Sequence, residues 1–281
     1  MLESNRSVFS DVMIVTDFDG TLRGSNAEIP QRNIDAIKRF TSMGGTFIVA
    51  SGRAGFVLDV AEPKVKDLVN APCIYSNGSY FYDYATKQRS FEKYVSENVV
   101  RSIMYAAKEY DPEAGIRIVR GDEYLTPDQN EEIERQIKNG YMNNVKVYTY
   151  ETLPVDYINK ITVCAKEETI AIIKNIIEEN YDEYVDVFLS WKTLIDIQPK
   201  NVSKGSAIEQ IRQNYRSNGI NKRIFAVGDY ENDIDMLRAA DYSCCPSNSL
   251  QKVIDFCKIH LCSNDEGCIA DLIERIENNQ I

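Results

Sequence analysis

Val12-Met13-Ile14-Val15-Thr16-Asp17-Phe18-Asp19-Gly20-Thr21 is an apolar run that ends on two carboxylates one residue apart. A short apolar run reads as a strand buried on both faces, the kind found in parallel sheets. Ligands of such sheets sit beyond the carboxyl ends of the strands, which is where this pair falls. Alternation points Asp17 and Asp19 to one side if the strand continues, and Gly20 lets the chain turn sharply away. Two neighbouring carboxylates cannot both be buried as ions without a counter-charge, so the pair asks for a cation. A plain turn would also use Asp and Gly after a strand, so the rest of the chain has to decide.

The same pattern recurs. Pro30 to Phe40 reads as a helix with Ile34, Ile37 and Phe40 on one stripe, stopped by Gly44-Gly45. Thr46-Phe-Ile-Val-Ala50 is a second buried strand and runs into Ser51-Gly52-Arg53, which by itself is also a strand-to-helix turn with a serine cap. Pro72-Cys-Ile-Tyr75 gives a third strand, ending in Ser76-Asn77-Gly78, most simply a turn. Tyr80 to Tyr84 and Arg89 to Tyr94 read as a hairpin. Further on, Leu194 to Gly205 leads into a helix carrying Ile208 and Ile211, and Ile224-Phe-Ala-Val227 delivers Gly228-Asp229-Tyr230-Glu231-Asn232-Asp233. Mg2+ prefers a few carboxylate oxygens plus water, so a third carboxylate from a neighbouring strand end completes the first pair.

Between about 95 and 190 the character changes. Helical stripes such as Ile170, Ile173 and Ile177 alternate with half-polar strands such as Ile158-Asn-Lys-Ile-Thr-Val-Cys164, which predicts a sheet with one open face. The fold expected is α/β: a doubly wound, Rossmann-like parallel-sheet core from residues 1–90 and 191–281, with an α+β domain of residues 91–190 inserted.

Asp17 to Thr21, Ser51-Gly52-Arg53, Lys204-Gly205 and Gly228 to Asp233 resemble, in order, the four motifs of the haloacid dehalogenase superfamily of aspartate-nucleophile phosphatases. The long insertion after the second motif resembles the type II cap of the Cof-type branch. Asn264-Asp-Glu-Gly267 follows that branch's pattern, whereas Cys245-Pro246 and Ser247-Asn248-Ser249 depart from it. The resemblance implies hydrolysis of a small phosphate monoester, a sugar phosphate or similar, through an aspartyl-phosphate. It implies Asp17 as nucleophile, Asp19 as acid and then base, and Ser51 and Lys204 as catalytic groups on the phosphoryl oxygens, with Lys200 the less favoured cation. Mg2+ would be held by the Asp17 carboxylate, the Asp19 backbone carbonyl and Asp229, with Asp233 behind them. Gly52, Arg53, Asn77 and Asn232 would line the phosphate and substrate. Substrate choice is expected in the cap, with Arg117, Arg120, Lys160 and Trp191 as candidates. A phosphomutase with the same covalent chemistry and a non-catalytic sugar-phosphate sensor are the rival readings.

The 281 residues carry a net charge of −11, which speaks against broad nucleic-acid binding and leaves any anionic substrate to be met locally. The first eleven residues lack the apolar core of a signal peptide, and no apolar stretch is long enough to span a bilayer, so a cytoplasmic protein is expected; as to assembly, the expectation is a monomer or weak homodimer. Seven cysteines without a C-x-x-C pair fit reduced thiols, and the spacing of Cys257, His260, Cys262 and Cys268 matches no common zinc finger.

Overall fold

The computed structural model describes residues 8–138 and 145–281. Residues 1–7, part of the stretch read above for a leader, lie outside them. Strand β1 (Val12–Thr16) is buried at every position and pairs in parallel with β2 (Thr46–Val49), Met13 opposite Thr46 and Thr16 opposite Val49. The crossover is α1 (Gln31–Ser42), which buries Ile34, Ile37 and Phe40 on one stripe and enters from Pro30, whose ring fixes φ before the first turn. A short helix, α2 (Gly55–Ala61), follows β2. Strand β3 (Cys73–Tyr75) touches the line of β2 through one parallel bridge, Ala50 to Ile74, then joins β4 (Tyr80–Asp83) and β5 (Gln88–Ser90) in a small three-stranded sheet.

The next stretch builds a second sheet. Its elements are α3 (Glu97–Tyr110), β6 (Gly115–Arg120), β7 (Glu123–Thr126), α4 (Glu131–Lys138), β8 (Val145–Val147), β9 (Ile158–Cys164), α5 (Glu167–Tyr181), β10 (Val185–Trp191) and β11 (Leu194–Pro199). The six strands lie in the order β10-β11-β9-β6-β7-β8. Ile116, Ile118, Ile161, Val163, Ile195 and Ile197 face Val100, Ile103 and Met104 of α3 and Ile170, Ile173 and Ile177 of α5 in one apolar cluster. Cross-strand register puts Arg117, Thr162 and Asp196 together on the other face.

Two expectations change here. The polar face of β9 is not open: all seven residues Ile158–Cys164 are buried. Its polar groups are satisfied by one another, Lys160 pairing with Asp196 at 3.0 Å and the Thr162 hydroxyl donating to Asp196 at 2.7 Å. On the same face Val119 and Tyr124 pack with Ala54, Val57 of α2 and Ile133 of α4. The second change concerns boundaries. Leu194–Pro199, expected at the head of the returning core, pairs with β9 and β10 because that register sends Ile195 and Ile197 into the apolar cluster. The chain accordingly divides into two compact units, one taking Arg53–Ala61 and Ser90–Val202, the other taking the chain up to Gly52, Glu62–Arg89 and Ser203–Ile281.

The returning segment supplies α6 (Lys204–Ser217), β12 (Arg223–Val227), α7 (Ile234–Ala239), β13 (Tyr242–Pro246), α8 (Gln251–Phe256), β14 (Ile259–Leu261) and α9 (Cys268–Glu277). Strands β14-β13-β12-β1-β2 form one five-stranded sheet, parallel throughout, with β1 between β12 and β2. This is the α/β parallel core, and the antiparallel-rich sheet is the separate inserted unit. Among the described residues no helix is long and apolar enough to cross a membrane.

Candidate active site

Asp17 is the first residue past β1, and its N–H donates to the Val227 carbonyl at 2.8 Å, tying it to the end of β12. Lys204 opens α6, which starts there because Ser203 and Ser206 form a reciprocal capping box. A Cβ on Gly205 would stand 2.4 Å from the Asp235 carbonyl, so only glycine lets α6 approach α7 this closely. That approach delivers the Lys204 ammonium to 2.5 Å from Asp17 Oδ1 and 2.7 Å from Asp233 Oδ1. The other oxygen of Asp233 accepts the N–H groups of Asp229 and Tyr230 at 3.0 and 3.1 Å. Asp229 in turn accepts the Thr21 hydroxyl at 2.7 Å through Oδ1.

Burial is the largest influence on these acids. It pushes Asp17 well above the usual carboxylate range against the pull of Lys204, with Asp233 and Asp229 adding repulsion. Asp229 is pushed up to about 7, first by burial and then by Asp233. Burial disfavours the Lys204 cation, yet the two carboxylates outweigh it and hold the ammonium above its ordinary value. Three acids around one lysine leave negative charge to be met. Carboxylate oxygens of Asp17, Asp229 and Asp233 lie within 4.8 Å of one another, a hard-oxygen set that fits a divalent cation such as Mg2+. Both Asp233 oxygens accept hydrogen bonds, from Lys204 and from the Asp229 and Tyr230 N–H groups, whereas Asp17 and Asp229 accept theirs through Oδ1.

Asp19 differs from Asp17: its side chain is 46% exposed and stands 3.5 Å from Arg23. The loop that carries it is held by side chains from distant segments. Asn248 donates to the Gly20 carbonyl at 2.8 Å, Cys268 Sγ to Thr21 at 3.3 Å, Asn33 to Leu22 at 3.4 Å and Asn264 to Arg23 at 3.0 Å. Asn248 sits in the tripeptide that departs from the Cof-type pattern, yet its oxygen also accepts Asn264 N–H at 2.9 Å, so it pins two loops at once. None of these donors but Asn264 lay in a matched motif, and lone polar side chains leave no periodic signal.

Gly20 has φ +82°, and a Cβ there would stand 2.4 Å from Asp229 Oδ2. Gly20→Ala is therefore expected to move Asp229 and lower turnover on the order of 10²-fold, as a 1 Å misplacement can. Gly121→Ala is the control, because Gly121 has φ +57° but open space around it. Equal losses of activity in the two variants would mean that backbone strain, not the displaced carboxylate, is responsible.

Ser51 is buried, donates its N–H to Ile74 at 2.9 Å and accepts Asn77 N–H at 3.0 Å. Ser76 and Asn77 adopt left-handed φ values of 47° and 54° before Gly78 at 106°. A Cβ on Gly52 would meet Asn77 Oδ1 at 2.9 Å, and one on Gly78 would meet the Ser203 carbonyl at 2.4 Å. Ser51-Gly52, Asn77-Gly78 and the start of α6 thus touch in sequence. Asn232 is half-buried in the turn between β12 and α7. Arg53 belongs to the inserted unit, where its charge acts on Arg117 and Tyr124. Lys200 is committed elsewhere, to Asp182 at 2.7 Å and Asp186 at 3.1 Å, which leaves Lys204 as the cation at Asp17. Of the candidates for substrate choice, Arg120 pairs with Asp156 at 2.8 Å and Trp191 is largely exposed.

The chain is 23% identical over 289 aligned positions to an uncharacterized hydrolase of Schizosaccharomyces pombe, covering 95% of this chain and 90% of that one. It is 24% identical to a 5-amino-6-(5-phospho-D-ribitylamino)uracil phosphatase of Bacillus subtilis, covering 95% and 98%. The crystal structure of a haloacid dehalogenase-like hydrolase from Bacteroides thetaiotaomicron superposes with a TM-score of 0.81 at 21% identity, over 94% of this chain and 99% of that one. A family model described as haloacid dehalogenase-like hydrolase matches residues 14–273, from inside β1 to inside α9 and so through every strand of the parallel core. With strand-end acids, lysine and family pattern in agreement, the chain belongs to the haloacid dehalogenase-like hydrolases.

Proposed function

We propose that the protein is a Mg2+-dependent phosphatase that hydrolyses a small phosphate monoester, a sugar phosphate or similar, through a phosphorylated Asp17. The observation that carries this reading is Lys204 held between Asp17 and Asp233, with Asp229 and Thr21 beside them. The phosphatase name of the Bacillus subtilis relative, whose substrate is a phosphorylated sugar-alcohol derivative, supports the same substrate class.

An Asp17 oxygen forms a bond to phosphorus as the bond from phosphorus to the ester oxygen breaks. Asp19 gives its proton to that departing oxygen, then takes one from water as the water oxygen attacks the phosphoryl group. Inorganic phosphate leaves and the Asp17 carboxylate is restored. Lys204 and Ser51 hold phosphoryl oxygens through both steps, in a buried setting where each charge counts for more than in water. Asp17, Asp229 and the Asp19 carbonyl would hold Mg2+, which would supply positive charge to offset the repulsion between carboxylate and phosphoryl group. Gly52, Asn77 and Asn232 shape the phosphate end of the site. We assign selection of the rest of the substrate to the inserted unit, with Arg53 on it.

Turnover of an aryl phosphate is expected to vanish in chelator, return with Mg2+ and return poorly with Ca2+. Calcium's larger and looser oxygen shell misplaces the nucleophile. Full activity in chelator would take the metal out of the reading. Release of free phosphate from a sugar phosphate separates this hydrolase from a phosphomutase, which returns the group to a sugar.

A further inference from the structure

Arg23 lies two residues beyond the first motif, and its guanidinium is aimed by its own loop. Its N–H donates to the Phe18 carbonyl at 2.9 Å and its carbonyl accepts Asn264 Nδ2 at 3.0 Å, so the backbone is pinned on both sides. Its Nε donates to the Ala27 carbonyl at 2.9 Å. Ala27 itself holds a left-handed φ of 66°, a conformation that a residue with a Cβ adopts only at a cost. The guanidinium carbon stands 5.7 Å from the centre of the buried Phe18 ring. With Nε tied to one carbonyl and the ring alongside, Nη1 comes to 3.5 Å from Asp19 Oδ1.

Stability does not account for this arrangement. The Arg23 side chain is 21% exposed and that of Asp19 46%, and ion pairs in such surroundings contribute little to folding. The contact is also longer than the roughly 2.7–2.9 Å of a closed charge-assisted bond, so the carboxylate is steered rather than locked. That suits a group which serves two oxygens in turn, the departing ester oxygen and then the attacking water. Both residues belong to the loop between β1 and α1, in the same compact unit as Asp17, Lys204 and Asp229. We propose that Arg23 is a positioning residue that sets the orientation of the Asp19 carboxylate for proton transfer. Arg23 itself gives and takes no proton, and the proposal rests on the phosphatase reading above.

Steady-state kinetics of Arg23→Gln and Arg23→Lys separate this role from a structural one. For p-nitrophenyl phosphate, kcat/KM covers the steps up to departure of the aryl oxide, which needs little protonation. The value of kcat also includes hydrolysis of the phosphoenzyme, which uses Asp19 as base. Arg23→Gln is expected to keep kcat/KM for p-nitrophenyl phosphate within about twofold of the parent and to lose roughly tenfold or more with glucose 6-phosphate, an alkyl ester. Its kcat with p-nitrophenyl phosphate is expected to fall as the phosphoenzyme accumulates. The ratio of the two kcat/KM values within one preparation does not depend on how much of the protein is folded. Arg23→Lys keeps the charge but gives up the planar fork that spans Ala27 and Asp19, and is expected to fall in between. In an Asp19→Asn background, Arg23→Gln is expected to cost nothing further in kcat with p-nitrophenyl phosphate, because the group it aims is gone.

Equal losses on the two esters, or a further loss on top of Asp19→Asn, overturn the assignment and leave Arg23 a brace of the loop. A rise in KM with kcat unchanged overturns it too, and makes Arg23 a contact of the substrate. Arg23→Lys matching the parent would mean that charge rather than aim matters, and overturns positioning. A parent that does not hydrolyse p-nitrophenyl phosphate with Mg2+ sinks the phosphatase reading and this role with it, an outcome distinct from an active parent whose variant loses both esters alike.

Discussion

Asp17→Asn is expected to remove both turnover and covalent phosphorylation for every substrate, whereas Asp19→Asn is expected to become phosphorylated by a good leaving group and then stall. The two acids stand in different surroundings. Asp17 is 7% exposed, fixed by Lys204 and by its own N–H to Val227, while the Asp19 side chain is half-exposed beside Arg23. An amide at 17 removes the attacking oxygen's charge and one partner of a buried lysine. At 19 it removes only proton transfer, which typically contributes 10²–10⁴-fold. An aryl oxide needs little protonation to depart, so the phosphoenzyme of Asp19→Asn should form and persist. A rapid-quench experiment with aryl phosphate, trapping the phosphoenzyme, reads both variants. Normal turnover of alkyl phosphates by Asp19→Asn would take the acid–base role away from that residue.

Lys204→Ala is expected to lower turnover on the order of 10²–10³-fold, the usual effect of removing one donor from a developing charge. Read from sequence alone, the change would spare the fold, since a single lysine is usually solvated. Its burial argues otherwise: the side chain is 0% exposed between Asp17 and Asp233, and removing one partner of a buried charged cluster destabilises by about 3–5 kcal/mol. The deficit depends on pH. With the ammonium gone, the folded-state pKa of Asp17, which burial already raises, rises further above its unfolded value, so the stability deficit grows as pH rises and shrinks as pH falls. Urea unfolding of parent and variant at acidic and at neutral pH tests this. A deficit that does not change with pH would assign it to lost packing of the lysine stem.

The parallel core was legible because its strands are contiguous apolar runs and its acids follow them directly, as at Val12–Thr16 and Asp17 or Arg223–Val227 and Asp229. Lys204 was legible only through family pattern, and what makes it distinctive, its place between Asp17 and Asp233, is a pairing across 187 and 29 residues. The inserted sheet was less legible for the same physical reason. Nothing local in Leu194–Pro199 says that its partners are β9 and β10, and nothing in β9 says that Lys160 finds Asp196 and so need not face water. Arg117 stood out by charge alone, as did Arg120, but only the surroundings show that the first donates to Gln136 and Thr162 and the second pairs with Asp156.

Placing β1 between β2 and β12 has a consequence for how the molecule is made. Until Arg223–Val227 leaves the ribosome, β1 has one neighbour in this sheet, and Asp17 has neither the Val227 carbonyl nor Asp229 beside it. At typical synthesis rates of about 5–20 residues per second, that interval lasts roughly 10–40 s. The nascent chain must carry a fully apolar strand, with one edge unpaired, through that time. The parallel core is then a unit of high contact order that closes late, while the inserted sheet has all its strands between Gly115 and Pro199 and can be complete first. Conditions that slow elongation through the returning segment should therefore trap a species with its insertion folded and its first strand open to a holdase.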